Sequence, residues 1–310
     1  MSINLPDLKK YRFQFAEKGV SLPLRAVPIN EKGLLEYIPA PSDKKTGWPW
    51  TQQTDPALYD RFITWPKITI VTPSFNQSQF IEETIRSVLL QNYPNLEYII
   101  IDGGSTDGTK EILHKYSPWI SYLQSEKDEG QGQAINQGFS LASGEYYSWL
   151  NSDDYYLQDV FLTVIQEFLK SRTDFIYGYG YSYHLNNDSF ELIKVQTFWD
   201  LFIKIPSLVQ PSTFWSSRIH QPIWEELHCS IDFELWLRMV KGKKRSHIKE
   251  PLSVANIHAD AKTSDPRMKA KWHEDHLKIW SADAHGRVYE WKLLIFLNRI
   301  RHKFYKLLKL

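Results

Sequence analysis

The stretch ITIVTPSFNQSQFIEETIRSVLLQNYPNLEYIIID, residues 68–102, decides the fold. Residues 68–72 are apolar and β-branched, which is typical of a buried strand. Residues 79–91 have apolar side chains at helical spacing, and residues 96–102 repeat the strand pattern. A strand, a helix and a second strand form the unit from which parallel sheets are built. The stretch therefore predicts an α/β fold.

The alternation of strands and helices continues through the first half of the chain. Residues 119–125 and 144–150 predict two further strands, with a predicted helix over residues 130–142 between them. This order predicts a mainly parallel, Rossmann-like sheet flanked by helices on both faces. The pattern is weaker in the second half, where residues 231–242 predict an amphipathic helix. We expect this half to complete the same sheet.

Length, composition and charge bound the possible functions. The chain has 310 residues, of which 42% are hydrophobic, and this suffices for a large folded domain. With 37 Lys and Arg against 36 Asp and Glu, the net charge of +1 gives no global attraction to nucleic acid. Cys229 is the single cysteine, so no intrachain disulfide is possible. No window approaches the roughly 20 apolar residues that span a bilayer, and we expect a cytoplasmic protein.

Polar residues follow three of the predicted strands, at residues 74–76, 102–106 and 151–154. Ligands of open α/β sheets bind outside the carboxyl ends of the strands, so we expect these loops to converge. The adjacent carboxylates Asp153 and Asp154 have two explanations. They could form an ordinary strand-ending turn, or they could bind a divalent cation that cancels their repulsion. The expected convergence favours the cation site.

Two segments carry a resemblance to a known family: residues 69–109, which end in DGGSTDGT, and residues 144–154, GEYYSWLNSDD. Their order and spacing resemble the family 2 glycosyltransferases, which have the GT-A fold. The resemblance covers about residues 67–260. It implies inverting, hexosyltransferase-like transfer from a nucleoside-diphosphate sugar, most often a UDP-sugar. It also implies a divalent metal, Mg²⁺ or Mn²⁺, and a glycan or lipid-linked acceptor in polysaccharide biosynthesis at the cell envelope.

The resemblance assigns the nucleotide to the first two strand ends. Pro73, Ser74 and Asn76 match the loop that surrounds the nucleotide. Asp102 matches the acid that hydrogen-bonds the base, and a carboxylate at a strand end can accept from a ring N–H. The alternative is that Asp102 only caps the turn at residues 103–104.

The segment LNSDD, residues 150–154, matches the DXD motif of the family. Asp153 stands at the second acidic position and is expected to bind the metal that bridges the two phosphates. Asp154 is an alternative ligand. Asn151 replaces the first acid, so we expect it to hydrogen-bond the ribose or a metal-bound water and count it among the nucleotide-binding residues. Oxygen ligands favour Mg²⁺ or Mn²⁺.

The segment SIDFELWLRM, residues 230–239, resembles the part of the family that carries the catalytic base. An inverting displacement needs one carboxylate to take the proton of the acceptor hydroxyl. Asp232 is our candidate and Glu234 is the second. The alternatives are a helix N-cap for Asp232 and a solvated charge for Glu234.

The segment IHADAKTS, residues 257–264, resembles the loop that closes over the diphosphate. His258 is a candidate metal ligand, although a lone histidine is as often a satisfied polar residue. Lys262 or Ser264 is expected to contact phosphate. Residues expected near the donor sugar by the same analogy are Asp128, Glu129 and Gln131.

We expect three parts in the chain. The parts are an N-terminal extension packed on the main domain (1–66), a GT-A domain with a nucleotide-sugar half (67–156) and an acceptor half (157–262), and a basic amphipathic helical segment (263–310). The last segment could lie on the inner face of a membrane, or dock on the domain or on a second subunit of a homodimer.

The alternatives to a transferase are a non-catalytic sugar-nucleotide-binding or scaffold protein, and a nucleotidyltransferase. The nucleotidyltransferase is disfavoured because residues 72–77 lack the basic glycine-rich loop that usually accompanies nucleotidyl transfer.

Overall fold

The computed structural model describes residues 3–41, 44–195, 208–259, 261–262 and 266–282, together with residues 296, 297, 300 and 303. Within these residues, one sheet contains nine strands. The strands are β1 (Ile68–Ser74), β2 (Leu96–Asp102), β3 (Tyr122–Ser125), β4 (Tyr146–Trp149), β5 (Tyr155–Tyr156), β6 (Phe175–His184), β7 (Ser189–Ile193), β8 (Thr213–Ser216) and β9 (Arg245–Ile257). The α-helices are α1 (Leu8–Glu17), α2 (Ile81–Leu89), α3 (Thr109–Tyr116), α4 (Gln131–Leu141), α5 (Val160–Ser171), α6 (Ile231–Met239) and α7 (Lys269–Ser281).

The sheet has the order β3-β2-β1-β4-β8-β6-β9-β5, with β7 paired to β6. Strands β1 to β4 form the predicted parallel half, in which β1 lies between β2 and β4. The second half enters mainly by antiparallel pairing, because β8 runs against β4 and β6, and a short hairpin joins β6 to β7. The predicted α/β fold with flanking helices is thus confirmed, and its sheet is mixed.

Apolar side chains cover both faces of the sheet. Alternate residues of a strand point to opposite faces, so Ile70 and Val71 enter different clusters. Val71 belongs to the cluster that contains apolar residues of α4 and α6, and Ile70 belongs to the cluster that contains apolar residues of α2 and α5. Both β1 and β2 are buried along their whole length, which explains why their sequences are almost continuously apolar.

A buried arginine on α2 binds the backbone of the segment that precedes β1. Arg86, on α2, donates hydrogen bonds to the backbone carbonyls of Pro39 (2.6 Å), Pro49 (3.0 Å) and Trp50 (2.7 Å). Helix α1 packs against α4 on the other face of the sheet. The segment therefore contributes to the same body, and a domain boundary near residue 66 stays a prediction.

The predicted basic amphipathic helix falls mostly outside the described residues, as does Ser264. Contact of that segment with a membrane or a second subunit stays a prediction. Within the part of the chain that the structure describes, no helix has both the length and the apolar character needed to span a bilayer.

Candidate active site

The polar loops after β1, β2 and β4 meet at one edge of the sheet, as predicted. Ser74 is paired with Asp102 at the ends of β1 and β2. The N–H of Gly103 donates to the carbonyl of Ser74 (2.8 Å), and the N–H of Leu150 donates to the carbonyl of Val71 (2.9 Å). Parallel pairing thus brings three carboxyl ends together, the place where α/β sheets bind ligands.

The loop after β1 carries the first predicted nucleotide residues. Pro73 and Ser74 are buried at the end of the strand, and Asn76 follows in the left-handed region with φ 52°. The Asn76 N–H donates to Ser105 Oγ (2.7 Å), and its Oδ1 accepts from the N–H of Thr106 (2.9 Å). Ser74 Oγ is buried and has no hydrogen-bond partner in the described part of the chain. A buried hydroxyl without a partner is costly, so this oxygen is available to a bound ligand.

Phe75 is a residue that our sequence reasoning missed. Its side chain is 59% exposed, although the neighbouring Ser74 is buried. A large aromatic ring left in solvent at a ligand-binding edge is a surface on which a flat ring can stack. The sequence signal was a single large apolar residue between polar loop residues.

Asp102 is fully buried at the end of β2. Its carboxylate accepts from the N–H groups of Gly104 (3.2 Å) and Ser105 (2.9 Å), and from the hydroxyls of Ser105 and Ser125. These contacts agree with the alternative in which Asp102 caps the turn at residues 103–104. Binding of a base by Asp102 stays a prediction, and the N–H of the base would have to compete with one of these four donors for the carboxylate.

Asn151 connects three elements through its side-chain amide. Its Oδ1 accepts from Gln131 Nε2 (2.8 Å), and its Nδ2 donates to Asp154 Oδ2 (3.2 Å) and to Gln210 Oε1 (3.1 Å). An aspartate at this position could not donate, and it would add a negative charge beside Asp154. This explains why an amide stands where the family motif has an acid. Gln210 was not predicted from the sequence.

Asp153 and His258 form a pair between the loop after β4 and the end of β9. His258 Nε2 lies 3.2 Å from Asp153 Oδ2, and the imidazole packs on Phe80 with ring centroids 4.6 Å apart. Asn256 Nδ2 donates to the backbone carbonyl of Asp153 (2.6 Å). Two of the three candidate metal ligands, Asp153 and His258, therefore lie side by side.

Asp154 points into the protein. The residue is buried, and its carboxylate accepts from the N–H of Asn256 (3.2 Å) and from Asn151 Nδ2. Burial, and secondly the charge of Asp153, raise the pKa of Asp154 well above its usual range. These contacts join the loop after β4 to β9, so a structural role fits Asp154 better than metal ligation.

The described residues contain no group of three or more His, Cys, Asp or Glu side chains that could hold a metal ion. Asp153 and His258 offer two ligands, one oxygen and one nitrogen. Mg²⁺ is commonly bound through one or two protein carboxylates, with substrate phosphates and water completing its coordination. The pair therefore fits a cation that is shared with a diphosphate, and it does not fit a closed structural metal site.

Lys262 joins the N-terminus of α4 to the loop before α6. Its Nζ donates to Gln131 Oε1 (2.8 Å) and to the backbone carbonyl of His228 (3.0 Å). The residue as a whole is exposed, yet desolvation of its ammonium group lowers its pKa. Gln131 also bonds Asn151, so the two predicted donor-contacting residues belong to one polar network. Asp128 and Glu129 precede this helix, and burial raises the pKa of Asp128.

Asp232 is the second residue of α6 and is half-buried. Ser230 is the N-cap of this helix, so the N-cap alternative for Asp232 is wrong. Burial raises the pKa of Asp232, which makes its carboxylate a stronger base. Glu234 is buried and forms an ion pair with Arg238 (2.6 Å), so the solvated-charge alternative is also wrong. That ion pair leaves Asp232 as the better candidate.

A model of glycosyl transferase family 2 matches residues 69–231. TuaG of Bacillus subtilis strain 168, a glycosyltransferase named for teichuronic acid biosynthesis, is 38% identical over 38% of this chain. That match spans 47% of TuaG. The uncharacterized glycosyltransferase RP339 of Rickettsia prowazekii is 27% identical over 70% of this chain and 71% of its own length.

Solved structures share the fold. The crystal structure of S. aureus TarS 1-349 in complex with UDP-GlcNAc has a TM-score of 0.54 at 18% identity, over 75% of this chain and 72% of that one. The mannosyltransferase PcManGT from Pyrobaculum calidifontis, in complex with GDP-Man and Mn²⁺, has a TM-score of 0.52 at 11% identity, over 92% of this chain and 77% of that one. Because the family match extends over more than half of the sequence, this chain belongs to glycosyl transferase family 2.

Proposed function

We propose that the protein is an inverting glycosyltransferase that moves a sugar from a nucleoside-diphosphate sugar, a UDP-sugar, to a hydroxyl group of a glycan or lipid-linked acceptor. One observation carries the proposal. The pair of Asp153 and His258 and the contact of Lys262 with Gln131 join segments that are more than 100 residues apart in the sequence. Both contacts belong to the edge at which α/β sheets bind ligands.

The nucleotide is assigned to the ends of β1 and β2. The exposed ring of Phe75 can stack on the base, and stacking on an aromatic face tolerates any base. Ser74 Oγ can donate to the ligand, which would satisfy a buried hydroxyl that has no partner within the described residues. Asn76, Asp102 and Asn151 complete the proposed nucleotide contacts.

The diphosphate is assigned to Asp153, His258, Gln131 and Lys262. A divalent cation, Mg²⁺ or Mn²⁺, held by Asp153 and His258 would stabilise the negative charge of the leaving diphosphate. Lys262 supplies a positive charge for the same group, and its hydrogen bonds to Gln131 and His228 hold it in place before substrate binds.

The proton of the acceptor is assigned to Asp232. The acceptor oxygen attacks the anomeric carbon as the bond from that carbon to the diphosphate breaks, and the hydroxyl proton passes to the Asp232 carboxylate. Attack on the face opposite the leaving group inverts the anomeric centre. The name of TuaG supports an acceptor in the cell envelope.

The experiment is a thermal titration of the purified protein with UDP, GDP, dTDP and CDP, each with and without Mn²⁺. A ligand that binds only the folded state stabilises it by about 2.7 kcal/mol at 100 times its Kd. We expect a metal-dependent rise in Tm with UDP, followed by transfer from a UDP-sugar to an acceptor. A metal-dependent rise without transfer from any donor would favour the scaffold alternative. No rise with any nucleotide in folded protein contradicts the proposal.

A further inference from the structure

Asp275 is a fully buried carboxylate on α7, beyond the residues matched by the family model. It accepts hydrogen bonds from three consecutive backbone N–H groups, those of His228 (3.0 Å), Cys229 (2.6 Å) and Ser230 (2.9 Å), all to Oδ2. A buried charge is tolerated only when such donors compensate it. We call residues 228–230 the α6 entry loop.

The α6 entry loop is connected to two residues of the candidate active site, Asp232 and Lys262. Ser230 is the N-cap of α6, and the proposed base Asp232 lies two residues further on. The carbonyl of His228 accepts from Lys262 Nζ (3.0 Å), the ammonium group that we assign to the diphosphate. One buried carboxylate therefore fixes the loop that supports the proposed base and the phosphate-binding lysine.

The start of α6 depends on this carboxylate for its order. The Ser230 side chain makes no capping hydrogen bond, and its Oγ has no partner among the described residues. The carboxylate lies beside the helix N-terminus, where a negative charge interacts favourably with the helix dipole. Without it, the buried N–H groups of Cys229 and Ser230 and the partly buried N–H of His228 would lose their acceptor, and the loop would have to move to find others.

We propose that Asp275 is a positioning residue for the transfer reaction. It holds the α6 entry loop so that Asp232 faces the acceptor hydroxyl and Lys262 faces the diphosphate. This inference rests on the proposed function. It predicts that loss of the carboxylate slows the chemical step more than it weakens the fold as a whole.

A matched control is available at the other end of the sheet. Glu97 is also a fully buried carboxylate, near the start of β2, and it accepts from the N–H of Ser143 (2.7 Å) and the hydroxyl of Thr69 (2.6 Å). It has no role in the proposed site. Glu97→Gln therefore reports the effect of losing a buried, hydrogen-bonded carboxylate that is remote from the reaction.

The test compares the wild-type protein, Asp275→Asn and Glu97→Gln by steady-state transfer kinetics and by hydrogen exchange. Asp275→Asn keeps one neutral acceptor oxygen but loses the charge and places an NH2 donor where the second oxygen accepts from the His228 N–H. We therefore expect it to lower kcat at least tenfold and to speed the exchange of the amides at 228–230. Glu97→Gln should keep kcat within about twofold once folded. A folded Asp275→Asn variant with kcat within twofold of wild type overturns the inference alone.

A wild type that transfers from no donor instead refutes the proposed function and removes the basis of this inference. Where Asp275→Asn does not fold, Asp275→Glu keeps the charge but displaces the acceptor oxygens by one methylene. We expect Asp275→Glu to lose kcat severalfold while its nucleotide-induced rise in Tm persists. An unchanged kcat in that variant also overturns the inference.

Discussion

His258 Nε2 and Asp153 Oδ2 lie 3.2 Å apart, although 105 residues separate them in the sequence. The contact exists because β9 pairs with β5 and β6, which brings the end of β9 beside the loop after β4. Neither residue alone identifies a site, since exposed carboxylates and single histidines are common. Their proximity at the carboxyl edge of the sheet is what makes them a candidate cation pair.

Replacing Asp153 with Asn should abolish the metal-dependent part of nucleotide binding. The amide keeps the size of the side chain but removes the charge that attracts the cation. We expect at least a tenfold weaker affinity for UDP in Mn²⁺, with affinity in its absence changed less than twofold. Isothermal titration of wild type and variant measures both. Equal metal dependence in the two proteins would exclude Asp153 as a ligand.

Asp154 should affect stability more than metal binding. Its pKa is raised in the folded state, so the folded protein binds its proton more tightly than the unfolded chain does. The contribution of Asp154 to the free energy of unfolding is favourable below the pKa of about 3.9 that an aspartate has in the unfolded chain, and it is lost as pH rises through the raised pKa of the folded state. Asp154→Asn removes this titration. Urea unfolding should therefore show that the stability of Asp154→Asn, taken relative to wild type, is higher at pH 7 than at pH 4. A stability difference between variant and wild type that is the same at both pH values would contradict the assignment.

The sequence predicted the first half of the sheet well because β1, β2 and their crossover helix are local patterns. It also placed the polar loops correctly, since parallel strands bring their carboxyl ends to one edge. It missed the antiparallel insertion of β8 between β4 and β6, which depends on pairing across distant segments. Asp275 gave no signal either, because the N–H groups that it accepts from lie 45 to 47 residues away.

The pH dependence of transfer tests Asp232. Burial raises the pKa of this carboxyl, and a general base acts only when deprotonated. We expect kcat/KM to fall as pH decreases through that raised pKa, above the usual aspartate range near about pH 4. Asp232→Asn should lose more than about a hundredfold in kcat, a typical contribution of general base catalysis, and should keep metal-dependent UDP binding. A near-normal kcat in Asp232→Asn would mean that another residue is the general base.

Arg86 should anchor the N-terminal segment. Replacing it with Lys keeps the charge but loses the fork that reaches three carbonyls, so buried acceptors are left unsatisfied. We expect a loss of about 2 to 4 kcal/mol in the free energy of unfolding, within the range for breaking buried charged contacts. Arg25, an exposed residue with one bond to the carbonyl of Pro118, provides the control. Arg25→Lys should stay within about 0.5 kcal/mol of wild type.

His220 should make the fold sensitive to acid. The ring is held in an aromatic cluster, with Trp215 Nε1 3.3 Å from its Nδ1, and burial lowers its pKa to about 3. An unfolded histidine titrates near about pH 6.5, so below that pH the unfolded chain binds a proton that the folded protein excludes. The contribution of His220 to stability should therefore fall as pH decreases from about 6.5 toward 3.

The change from pH 7 to pH 4.5 gives a measurable difference. One pKa unit corresponds to about 1.4 kcal/mol, so His220 should contribute a loss of about 2 to 3 kcal/mol over this interval. His220→Phe removes the titration, and although it leaves Trp215 Nε1 without its acceptor, that cost is the same at both pH values. Urea unfolding should therefore show a smaller acid-induced loss in His220→Phe, whereas His114→Gln, at an exposed position on α3, should follow wild type. An identical acid response in His220→Phe and wild type would mean that the ring accepts a proton without leaving the folded state.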